Sequence, residues 1–107
     1  MDDPERVTAP LVDVVETFWE SETGLHGYEI KRRTRRFGPT VYNNLARLRK
    51  LGWITEVRHE SDPGRPERSI FALTPKGRAA AHDLLIKAGR IRVVGDLGIA
   101  SDSAGDV

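Results

Sequence analysis

GPTVYNNLARLRKLG, residues 38–52, reads as one helix with two unlike faces. Gly38-Pro39 breaks the preceding chain and opens a new helix, because proline fits the first helical turn and not the interior. Val41, Leu45 and Leu48 recur at helical spacing and form an apolar face. Gly52 stands where a helix closes on a left-handed residue. The helix is therefore expected over 39–51. At about 100° per residue, Thr40, Asn43, Arg47 and Lys50 gather at the pole opposite the apolar face. These side chains suit a DNA major groove. An asparagine amide pairs two-pronged with adenine, and a guanidinium does so with guanine O6 and N7. Asn43, Arg47 and Lys50 are the expected base contacts. Thr40, in the first turn, is expected at a phosphate.

Upstream, Leu11, Val14, Val15, Phe18 and Trp19 form a full apolar stripe, which predicts a helix over 10–20 with Thr8 as its N-cap. Gly24 and Gly27 bracket a turn. A second helix fits 27–36, with Tyr28 and Ile30 inward and its arginines outward. Downstream the period changes. Residues 53–58 alternate as a strand, Ser61-Asp62-Pro63-Gly64-Arg65-Pro66 is dense turn chemistry, and 69–73 is a second strand. Thr74-Pro75 caps a last helix lined by Ala81, Leu84, Leu85, Ala88 and Ile91. The order is α-α-α-β-β-α, a mainly α chain with a small β-hairpin (α+β). This is the winged helix-turn-helix layout, in which the hairpin is the wing. Residues 1–7 read as an N-terminal arm, 8–92 as the domain with its C-terminal dimerisation helix, and 93–107 as a loose tail.

A length of 107 residues, 38% of them hydrophobic, allows one domain with a modest core. There is no cysteine, which excludes disulfides and thiolate chemistry. No apolar run approaches the ~20 residues needed to span a bilayer. The acidic start MDDPERVTAP lacks a signal-peptide layout, so a cytoplasmic, nucleoid-associated protein is expected, with no membrane partner. His26, His59 and His82 share no metal-ligand spacing, and no nucleotide or nucleophile motif is present. An enzyme is not expected, nor a metal or cofactor.

The net charge of +1 conceals a segregation. Residues 1–29 hold eight acidic groups against Arg6, whereas 30–55 hold Lys31, Arg32, Arg33, Arg35, Arg36, Arg47, Arg49 and Lys50 with no acid. A single-sign block of this kind sets the local field that a polyanion meets. Lys31, Arg32, Arg33, Arg35 and Arg36 precede the recognition helix and are expected as phosphate anchors. Arg65 at the hairpin tip, followed by Arg68, is expected at a minor groove or phosphate.

Three motifs, in order, carry a family resemblance. They are Leu25-His26-Gly27-Tyr28-Glu29-Ile30, the run from Gly38 to Leu48 with Gly52-Trp53-Ile54, and Gly64-Arg65-Pro66 through Leu73-Thr74 with Gly77-Arg78. Together they span about residues 11–86, and over them the chain resembles the PadR family of bacterial transcriptional regulators. It departs from the family pattern in a short turn before Thr40-Val41-Tyr42. It also departs in a basic rather than acidic end to the recognition helix, Arg49-Lys50. The resemblance implies a backbone-contacting or scaffold role for Tyr42. It also raises a small-molecule effector at the dimer interface, with Phe18 and Trp19 as candidate lining. The apolar stripes of the first and last helices predict a two-fold dimer interface of Leu11, Val15, Phe18, Trp19, Leu84, Leu85 and Ala88.

The leading expectation is a homodimeric, sequence-specific double-stranded DNA-binding regulator, a repressor. Two alternatives stand beside it: a winged-helix protein-interaction module, and a non-specific DNA-binding protein of plasmid or phage maintenance.

Overall fold

The first helix, α1 (Ala9–Glu20), begins where Thr8 turns extended and its hydroxyl accepts the Leu11 N–H at 3.3 Å. In the computed structural model, which describes residues 6–92, α1 is the central element. Leu11, Val12, Val14, Val15, Thr17 and Phe18 are all buried. Ala9 and Glu20 are exposed, and Pro10, Asp13, Glu16 and Trp19 partly so. Thr17 is tolerated inside because its hydroxyl donates to the Asp13 carbonyl at 2.8 Å.

Helix α2 (Gly27–Thr34) stops two residues before the expected Arg36. Arg35 turns left-handed at φ 58° and its N–H closes on the Lys31 carbonyl at 2.9 Å. Ile30 is fully buried, but Tyr28 is 58% exposed. Residues two apart lie about 200° apart on a helix, so both cannot face the core. The expectation of an inward Tyr28 is corrected accordingly.

Helix α3 (Gly38–Lys50) follows an extended Phe37 and has Pro39 in its first turn. Val41, Leu45 and Leu48 are buried as expected, and Asn44 joins them. Its amide is satisfied by the Thr40 carbonyl at 2.9 Å. The helix closes through Gly52 at φ 78°, and the Trp53 N–H bonds the Leu48 carbonyl at 2.9 Å.

Strands β1 (Ile54–Glu60) and β2 (Arg68–Leu73) pair antiparallel, from Ile54 opposite Leu73 to Glu60 opposite Arg68. A register shift between Glu56 and Arg58 leaves Val57 in a bulge, 50% exposed. The alternation expected at 53–58 is not realised, since Trp53 and Ile54 are buried and every residue from Thr55 to Glu60 is exposed. The strand leaves the core after its first residue because it projects as a wing. The turn before α2 adds a third, single-residue strand. Leu25 and Phe71 exchange two backbone bonds of 2.8 Å each. Gly24 makes this approach possible, since at φ 93° a Cβ would lie 2.8 Å from Ile70 Cγ2.

Helix α4 (Pro75–Lys87) is capped by the Thr74 hydroxyl, which accepts the Gly77 N–H at 2.9 Å and donates to the Gly52 carbonyl at 2.7 Å. Gly77 lies directly on the Trp53 backbone, where an added Cβ would sit 1.9 Å from the carbonyl oxygen. Ala81, Leu84 and Leu85 are buried, and α4 packs against α1.

This packing occupies most of the residues expected at a dimer interface. Leu11, Val15, Phe18 and Leu85 are at most 1% exposed and Leu84 is 8%, within a single chain. The stripes of α1 and α4 cover each other. Of the expected set, Trp19 (partly buried) and Ala88 (exposed) remain accessible. Among the described residues, no helix is long and apolar enough to cross a membrane.

Candidate nucleic-acid interface

Pro39, Tyr42, Asn43, Ala46, Arg49 and Lys50 form the exposed face of α3. Asn43 and Lys50 stand on it as expected. Its centre is rotated by roughly 40° from the pole read at ~100° per residue. Two features accompany the rotation. Asn44 is drawn into the core, and Arg47 is half-buried with its guanidinium donating to the Arg6 carbonyl at 2.8 Å. Arg47 and the half-buried Thr40 therefore flank the face rather than centre it. Ala46 and Arg49 replace them. Arg49 was legible as a charge in the basic block, but its position on the face follows only from the rotation.

A groove of about 570 Å³ runs between this face, the start of α2 and the wing. Its floor includes Leu45 and Phe71, with the Arg49 guanidinium 5.1 Å from the Phe71 ring centroid. Tyr42 lies across Gly27, where a Cβ would fall 2.4 Å from ring carbon Cε1. The residue before Gly27 caps α2 unusually, because His26 Nδ1 accepts the Glu29 N–H at 3.2 Å. Its ring lies near-parallel to Tyr28, at 13° and 6.3 Å between centroids. Its Nε2 is 3.4 Å from the Arg68 guanidinium. Partial burial, reinforced by the Arg68 charge, lowers the His26 pKa and favours the neutral ring.

The cations of α2 and of the turn after it divide into three groups. Lys31 and Arg35 are exposed, and no side-chain partner is seen for them among the described residues. Arg32 and Arg33 are exposed but share Glu29, at 3.0 and 2.8 Å. Arg33 first, then Arg32, holds the Glu29 carboxyl below its usual pKa. Arg36 turns the other way and grips Asp13 on α1 at 2.8 Å. Arg90 also bonds Asp13, at 3.0 Å, and Glu16. The acidic and basic segments, separate in sequence, are thus partly stitched together in space.

On the wing, Arg65 is exposed at the tip, while Arg68 is half-buried in the last strand pair before the turn, opposite Glu60. His59 sits between Glu67 at 2.9 Å and Glu56 at 3.5 Å, and the bond to Glu67 raises its pKa. On the opposite side of the molecule, Trp19 packs near His82 and under Arg78, whereas Phe18 is sealed in the core. A second groove of about 440 Å³ lies on the other face of α4, bordered by Val7, Trp53, Ala80, Leu84, Lys87 and Ala88.

No curated protein matches the chain. Solved structures do. PadR of Bacillus subtilis, solved in complex with operator DNA, aligns at 20% identity and a TM-score of 0.64, over 92% of this chain and 55% of that one. This chain therefore spans about half the length of that relative. The PcaV transcriptional regulator of Streptomyces coelicolor aligns at 22% identity and a TM-score of 0.65, over 89% and 72%. MepR of S. aureus, solved as a DNA complex, aligns at 19% identity and a TM-score of 0.59, over 87% and 73%. These likenesses establish the winged helix-turn-helix fold. The profile of the transcriptional regulator PadR-like family matches residues 19–83, a span that runs from the end of α1 into α4 and encloses α2, α3 and the wing. With that match over more than half its length, the chain belongs to the PadR-like family of transcriptional regulators.

Proposed function

We propose that this chain is a sequence-specific double-stranded DNA-binding repressor. The supporting observation is the outer face of α3, which presents Asn43 and Lys50 to solvent beside Tyr42 and Arg49. An asparagine amide on a face of this shape reads a base edge, and the flanking cations hold the backbone. Arg47 joins base reading only on releasing the Arg6 carbonyl. Lys31, Arg35 and the exposed Arg65 supply phosphate contacts, and Arg32 and Arg33 compete for them through weak surface pairs. Arg36 serves to fasten α2 to α1.

The working unit is a homodimer, because helix-turn-helix proteins read two half-sites one turn apart. With the α1 and α4 stripes consumed in the protomer, its interface falls to Ala88 with the groove it lines, while Trp19 sits on the other face of α4. A small-molecule effector that seats in that groove would act across the same face.

Selection of bound duplexes from a random library tests this reading. An enriched palindrome with half-sites ~34 Å apart supports it. Binding without enrichment would favour the non-specific alternative, and absence of binding the protein-interaction alternative.

A further inference from the structure

The contact between His26 and Arg68 poses a chemical problem. His26 Nδ1 accepts the Glu29 N–H and so cannot carry the proton of a neutral imidazole. The proton is therefore on Nε2. A guanidinium has only donors. Nε2–H and Arg68 thus face each other as two donors across 3.4 Å, and neither can accept from the other. An acceptor placed between them would satisfy both. Tyr42 and Arg49 of α3 line the same groove, and its one carboxylate, Glu67, is paired with His59 at 2.9 Å, so donor-bearing residues of three elements border one groove. An oxygen that accepts from a guanidinium and an imidazole N–H beside two further donors is best supplied by an anion.

We propose that His26 and Arg68, with Tyr42 and Arg49 alongside, form a seat for one phosphodiester of the DNA backbone. His26 is then a ligand-contacting residue as well as a helix cap. The proposal rests on the DNA-binding reading above. It adds that the phosphate is clamped at the junction of α2, α3 and the wing, so that one group fixes the wing against the recognition helix. A backbone phosphate carries no sequence information, so the clamp acts equally on every duplex.

The test uses the full chain and a 20-base-pair duplex of random sequence, titrated across a salt series. His26→Asn keeps a side-chain acceptor for the cap, since asparagine is a good N-cap residue, but removes the Nε2 donor. The expected result is an unchanged melting temperature and binding weakened about tenfold, the size of a lost hydrogen bond to a charged group. The salt slope is expected to be unchanged, because a neutral donor releases no counterion. Arg68→Gln is expected to weaken binding similarly and to lower the salt slope by about one. The double variant is expected to be little weaker than either alone, because both hold the same oxygen. Wild-type affinity in His26→Asn, or full additivity in the double variant, would overturn the clamp while leaving DNA binding intact. Failure of the wild-type chain to bind any duplex would overturn both.

Discussion

Helices α1 and α3 are alike in length and opening and opposite in use. Each has a proline in its first turn, and they run 12 and 13 residues. α1 buries residues on almost every side, with Leu11, Val14 and Val15 at 0% exposure, and packs against α2, α3, α4 and β2. α3 buries only Val41, Asn44, Leu45 and Leu48, and leaves Tyr42, Asn43, Ala46, Arg49 and Lys50 outside. Nothing in the described chain covers that outer face. The contrast separates a helix that holds the fold from a helix that the fold presents. It also explains why an apolar stripe is a poor guide to a partner: α1 has the stronger stripe, and its partner is α4 of the same chain.

The contrast breaks first if α1 faces a partner after all. Phe18→Ala is expected to cost about 3–5 kcal/mol in urea denaturation of the protomer, through lost burial and the cavity left behind. A change in dimer mass with little loss of protomer stability would reverse the assignment. Next is the seam that fixes α4. Gly77→Ala places a methyl against the Trp53 carbonyl, a backbone group that cannot swing aside, and is expected to cost about 1–3 kcal/mol in the same measurement. Stability within ~0.5 kcal/mol of wild type would contradict this close approach.

A paired substitution sharpens the division among the α2 cations. Lys31→Ala is expected to lower the salt slope of binding to any duplex by about one while leaving stability unchanged. Arg36→Ala is expected to leave the slope intact and to cost ~0.2–1 kcal/mol of stability through Asp13. The smallest effect is on pH. His26 has a lowered pKa in the fold, so as pH falls the unfolded chain takes up its proton first. Its contribution is complete above about pH 6.5 and declines as pH falls from there toward the folded pKa. In His26→Asn the slope of melting temperature against pH over that window should flatten.

Much of this arrangement is legible in the sequence. Thr8 and Thr74, as N-caps, and the order of all six elements follow from local chemistry: a hydroxyl before a periodic run, a proline in the first turn, a glycine after the last. What escapes is non-local. The orientation of α3 depends on its packing against α1 and α2, and Arg47 bonds the Arg6 carbonyl 41 residues away. The groove needs Leu25 to bridge Phe71, which the sequence marks only by the flanking glycines. The fate of Arg36 depends on Asp13, and no feature of the basic block distinguishes it from Lys31 or Arg35. Helical periodicity finds the buried face of a helix but not what covers it, so the α1 and α4 stripes point equally to each other and to a second copy.

The central claim is that the outer face of α3 reads base sequence. Asn43→Ala tests it most directly, titrated against the duplex enriched from a random library and against random duplex, with melting followed in parallel. The account predicts a loss of ~1–3 kcal/mol on the enriched duplex only, with binding to random duplex and the melting temperature unchanged. Equal losses on both duplexes, or no loss on either, would contradict it.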